Sequence, residues 1–193
     1  MNTFNSRKWI LFTSIGWVLG IALILILLIP LESLKINVGG QAIVGIGMSA
    51  GVGFMQWLLL KQKSPVRINW IWLSILGFSL PFILFDVLAY FIKISPEIYV
   101  PIATALSGVL AGWLQARFVL KCSAEDSRGW ILFSFLGWFT ATIITFLIFR
   151  FNMYIEKHVA IFIAFAALFI GGPLLGYITG LKMKILVDQK KQD

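Results

Sequence analysis

Trp9-Ile10-Leu11-Phe12-Thr13-Ser14-Ile15-Gly16-Trp17 is written again as Trp70-Ile71-Trp72-Leu73-Ser74-Ile75-Leu76-Gly77-Phe78, and a third time as Trp130-Ile131-Leu132-Phe133-Ser134-Phe135-Leu136-Gly137-Trp138. The shared pattern is W-I-x-x-[ST]-x-x-G-[WF], and its copies begin 61 and 60 residues apart. Self-similarity at a fixed period means that one structural unit is used repeatedly. A second block follows each copy. Gly53-Phe54-Met55-Gln56 and Gly112-Trp113-Leu114-Gln115 share G-x-x-Q, four residues after Ser49 and Gly108. The third copy reads Gly172-x-x-x-Gly176-x-x-Thr179, with threonine where glutamine is expected. Each unit thus joins two apolar runs, and the pattern predicts three helical hairpins.

The runs themselves say which solvent they meet. Hydrophobic residues make up 60% of the 193-residue chain and charged residues 12%, against about 25% charged in an ordinary soluble domain. Mean hydropathy is +0.94. Six segments reach the roughly 20 helical residues needed to cross a bilayer: Trp9–Ile29, Gln41–Leu60, Trp70–Phe91, Val100–Val119, Trp130–Phe149 and Val159–Leu181. They are apolar on all sides, whereas barrel strands alternate polar and apolar residues. The first run is longer than a signal-peptide core, and Pro30-Leu31-Glu32 offers no small-x-small cleavage site, so it reads as a retained helix. The expected fold is an all-α, polytopic membrane bundle in a single domain over residues 1–193. Its hairpins cover about 9–60, 70–119 and 130–181, and residues 182–193 read as a short basic tail.

Net charge is +8, but the basic residues sit in short loops, so they read as topology signals and not as a nucleic-acid surface. The amino terminus, second loop, fourth loop and carboxyl tail hold 12 Lys and Arg; the opposite loops hold 4, namely Lys35, Lys93, Arg150 and Lys157. This bias predicts a bacterial cytoplasmic membrane protein with both termini in the cytoplasm. The one cysteine, Cys122, then lies in a reducing loop.

Between helices in lipid there is little hydrophobic drive, so close backbone approach must hold the bundle. The small-xxx-small pairs Gly16/Gly20, Gly47/Gly51, Gly108/Gly112 and Gly172/Gly176 are the expected packing faces. The hairpins also resemble a group of uncharacterised bacterial multipass membrane proteins with repeated G-x-x-x-G-x-x-Q-W-[LV]-x-L hairpins. Gly53-x-x-Gln56-Trp57-Leu58-Leu59-Leu60 carries the resemblance best. Gly108-x-x-x-Gly112-x-x-Gln115 has Ala116 in place of tryptophan, and the third copy departs at Thr179. The resemblance implies architecture and no particular activity.

Polar candidates within the spans are few. Gln56 and Gln115 are amides at helix depth and need partners. Asp86 lies 16 residues after Trp70, about 24 Å along the helix, where a carboxylate must be paired, protonated or wetted. Lys93 and Arg150 are its expected partners near the same edge. Pro81 weakens the same helix and frees carbonyls. All eight tryptophans fall in the cytoplasmic half of their spans, which suits an inner-leaflet anchor with rings packed in the bundle, or an aromatic vestibule. No catalytic motif, metal-ligand set or phosphate loop occurs, and no cofactor is implied. The sequence therefore favours a non-catalytic interaction or assembly subunit that packs through Gly/Trp-rich helix faces. Its partners would be the bilayer and other membrane subunits or a second copy of itself. The alternative is a small-molecule transporter or the substrate-binding membrane subunit of a larger importer.

The charge bias predicts that a membrane-impermeant thiol reagent leaves Cys122 unlabelled on intact cells and labels it after permeabilisation. Labelling of intact cells reverses the orientation.

Overall fold

In lipid each backbone N–H and C=O must find its partner inside its own segment, which forces long apolar runs into helices. The computed structural model describes residues 4–33, 40–62, 68–152 and 157–189. They form α1 (Ser6–Ser33), α2 (Gly40–Leu60), α3 (Asn69–Ile92), α4 (Pro96–Gln115), α5 (Ala124–Asn152) and α6 (Lys157–Gln189), with no strand among them. All six are long and apolar enough to cross a membrane. A π-helical turn, Ala116–Leu120, continues α4.

The helices run one to two turns past several of the expected span ends. The largest difference lies at the carboxyl end: the stretch read as a tail is helical as far as Gln189. Met183 and Leu186 on that extension are buried against the cluster that holds Trp9, Trp70 and Trp130. Pro30, Pro81, Pro101 and Pro173 all lie inside helices. One turn before Pro81, the Phe78 carbonyl accepts a hydrogen bond from Ser107 of α4 at 2.7 Å. This bond ties α4 to α3 beside the proline, whose missing N–H frees the Gly77 carbonyl.

Each helix packs on the next, and α6 packs on α1, so the six form a closed ring. Glycine positions make the three hairpins equivalent. A methyl group added at Gly53 would lie 2.9 Å from Ser74 Cβ, one at Gly112 would lie 2.9 Å from Ser134 Cβ, and one at Gly176 would lie 3.1 Å from Thr13 Cβ. These contacts join each hairpin to the one that follows, the last returning to the first. The odd-helix glycines repeat as well. A methyl group added at Gly16 would lie 2.8 Å from Val52 Cα, one at Gly77 would lie 2.5 Å from Ala111 Cα, and one at Gly137 would lie 2.9 Å from the Leu175 side chain.

The remaining packing glycines obey the same logic. Gly51 is set directly against the Gly16 and Gly20 backbones, Gly20 against Met48 and Gly47, and Gly47 against Ile24. Gly108 meets Phe135, and Gly172 meets Ser14 and Trp17. All eight glycines expected at helix faces are therefore spent on contacts inside the chain.

Two aromatic layers fill the ring. Trp9, Trp70 and Trp130 pack together near one end with Phe4, Leu59, Leu60 and Leu120. Deeper, Trp17, Phe78 and Trp138 gather with Val52, Phe82 and Leu175. Trp138 stacks on Trp17 with centroids 5.8 Å apart and leans on Phe78 at 4.0 Å. Five of the eight tryptophans are buried, while Trp72 and Trp113 face outward. Most of the tryptophan asymmetry is therefore core packing. A salt bridge of 2.8 Å between Lys182 and Asp126 ties α6 to the start of α5.

Leucine at Gly112 or Gly176 should force the helices apart and cost about 1–3 kcal/mol, seen as lower folded yield and melting temperature in detergent. Gly40, whose added methyl would meet nothing within 4 Å, is the matched control. Equal stability of all three variants would contradict the packing.

Candidate functional site

The G-x-x-[QT] block puts a polar side chain one turn after each glycine that bridges hairpins. Close approach at the glycine brings the facing tryptophan and hydroxyl within reach. In the second hairpin the bridge is complete. The Gln115 amide donates to Ser74 Oγ at 2.9 Å, and its carbonyl accepts Trp130 Nε1–H at 3.0 Å. One side chain thus links α3, α4 and α5. In the first hairpin Gln56 donates to Thr13 Oγ1 at 3.3 Å, linking α1 and α2. The equivalent tryptophan, Trp70, has its indole N–H buried with no acceptor among the described residues.

The third hairpin closes the ring with a shorter side chain. Thr179 donates to the Leu175 carbonyl of its own helix at 2.7 Å and accepts Trp9 Nε1–H at 3.0 Å. Threonine cannot also reach back to α5 as glutamine does, yet it preserves the link from α6 to α1. Gln56, Gln115, Ser74, Ser134 and Thr179 line a cavity of about 20 Å³ between the aromatic layers, room for about one water molecule. All five are buried.

Asp86 stands elsewhere. Its carboxylate accepts the Ala42 backbone N–H at 2.8 Å and the Tyr99 hydroxyl at 3.3 Å. Ala42 is the third residue of α2, so its N–H has no partner within its own helix. The first turn of α2 carries no acidic residue; Asp86 supplies the negative charge from α3, where the helix dipole favours it. Tyr99 is held in place by stacking on Phe85, with ring planes 4° apart.

The expected pairing with Lys93 is not made. Lys93 is exposed and ends α3 in a left-handed conformation at φ 53°, its own N–H bonded to the Ala89 carbonyl. No pairing of Lys93 with Asp86 occurs among the described residues; the carboxylate oxygens accept from a helix amide and a phenol instead. The Arg150 side chain lies outside the described residues.

Sequence patterning brought Gln56 and Gln115 forward but passed over their donors and acceptors, Trp130, Thr13 and Ser74, whose conserved spacing within the repeat was the available signal. Tyr99 and the α2 terminus carried no signal, since both come from other segments. No protein-family model, curated protein or solved structure matches the chain.

Asp86→Asn keeps an acceptor for Ala42 but removes the charge at the α2 terminus, and should cost about 1 kcal/mol or less. Asp86→Leu leaves the amide and Tyr99 unsatisfied and should cost about 1–3 kcal/mol. Thermal unfolding in detergent ranks the two; equal losses would mean that the charge, and not the hydrogen bonds, is what matters.

Proposed function

We propose that the chain is a non-catalytic multipass subunit of a bacterial cytoplasmic membrane, with both termini in the cytoplasm, whose outward helix faces meet other membrane components. The observation that carries this reading is the state of the interior. Its bridging side chains bond to one another and surround a space the size of one water. A carrier needs a solute-sized site among its helices, commonly near the midplane. Asp86, an acidic residue within α3, is engaged in holding α2. The glycine faces are used within the chain, so a partner helix would meet the outward surface instead. That surface offers Trp72, Trp113 and a broad belt of Leu and Ile.

The test is purification from native membranes in a mild detergent, followed by native mass spectrometry. The reading expects the chain in fixed stoichiometry with another membrane protein. It also expects cross-linkers placed on the outward faces, at Trp72 or Leu132, to trap that protein. A chain that purifies alone, carrying a retained solute that is lost on substitution of Gln115, would favour the transporter.

A further inference from the structure

The first and second hairpins diverge just after their bridging glutamines. Trp57 follows Gln56, and the Lys61 ammonium lies over its ring, 4.4 Å from the centroid. Ala116 follows Gln115, so the matching lysine, Lys121, has no aromatic cover from that position. Spacing changes as well: Gln56 stands 14 residues before Trp70, Gln115 stands 15 before Trp130. The extra residue falls in a stretch that winds as a π-helical turn, Ala116–Leu120, as single-residue insertions in helices do, often at functional sites. The turn ends at Lys121, left-handed at φ 48°, whose N–H bonds the Ala116 carbonyl.

Loss of the indole and the inserted residue leave a space. An open pocket of about 500 Å³ lies there, lined by Trp113, Ala116, Arg117, Lys121, Cys122 and Ser127. Arg117 and Lys121 are exposed, and neither has an acidic partner among the described residues. The nearby Asp126 is already engaged by Lys182 and Ser123. Trp113, 47% exposed, borders the pocket one turn deeper along α4, with Phe118 against its edge. Two free cations at the helix end, over an outward aromatic pair, match an amphiphile with a negative head and an apolar body.

We propose that this pocket binds an anionic phospholipid, with the headgroup phosphate between Arg117 and Lys121 and the glycerol and upper acyl chain along Trp113. The first hairpin carries Trp57 at the position of Ala116, with Lys61 over its ring. The site depends on the chain spanning a membrane and not on the partner proposed above.

The full chain in neutral detergent, titrated with dioleoylphosphatidylglycerol and followed by native mass spectrometry, should hold one lipid strongly. Dioleoylphosphatidylcholine should bind far more weakly. Arg117→Gln with Lys121→Gln should weaken the phosphatidylglycerol complex by roughly 30-fold, about fivefold for each basic side chain. Lys61→Gln, in the first hairpin, should leave it unchanged. Ala116→Trp should also block the lipid, and the double variant, confined to exposed side chains, keeps the test valid if that protein misfolds. Equal affinity for the two lipids, or no loss in the double variant, would overturn the assignment. Inorganic phosphate displacing the lipid at equal concentration would overturn the lipid as the source of the anion.

Discussion

Everything in this bundle depends on helix backbones coming close enough to touch. Lipid tails are as apolar as leucine, so burying an apolar face against another helix gains little there, and association rests on dispersion and hydrogen bonds at short range. Gly53, Gly112 and Gly176 supply that range at the three joints between hairpins, while Gly16, Gly77 and Gly137 supply it within each hairpin. The polar bridges follow from it. Gln115 reaches both Ser74 and Trp130 only because α4 lies against its neighbours at glycine distance. Filling the glycine positions would therefore remove van der Waals contact and hydrogen bonds together.

A threefold repeat spreads this constraint evenly, and its departures mark where individual hairpins do something of their own. Thr179 replaces a glutamine yet keeps the link to Trp9 that closes the ring. Ala116 and the π-helical turn border a basic pocket where the first hairpin carries Trp57 in sequence. Asp86, unmatched in the other copies, secures the start of α2 from α3. Lys182 and Asp126 add an ion pair within the third hairpin.

Much of the architecture was legible because lipid imposes local rules. Run length set the six helices, and the glycine spacing marked the faces that pack. The W-I-x-x-[ST]-x-x-G block placed Trp9, Trp70 and Trp130 at equivalent depths. What patterning could not supply was anything that depends on which helix lies beside which. Nearness to one edge points Asp86 at Lys93 and Arg150; the Arg150 side chain lies outside the described residues, and the carboxylate accepts from the α2 amide and Tyr99 instead of Lys93. Those groups come from segments 44 and 13 residues away. The closing of the ring by α6 on α1 is likewise a contact between the chain's two ends. The π-helical turn was hidden for another reason: one added residue leaves hydrophobic patterning almost unchanged and shows only when repeat spacings are compared.

The central claim is that the third hairpin joins the first just as the others join in sequence. Cysteine cross-linking tests it most directly, in a Cys122→Ser background, with three equivalent pairs of exposed residues beside the joints: Phe54→Cys with Trp72→Cys, Trp113→Cys with Leu132→Cys, and Tyr177→Cys with Leu11→Cys. Closure predicts that a short bifunctional thiol reagent bridges all three pairs within one chain in the membrane, with similar yields. Efficient bonds at the first two pairs, with the third absent or formed only between separate chains, would contradict it.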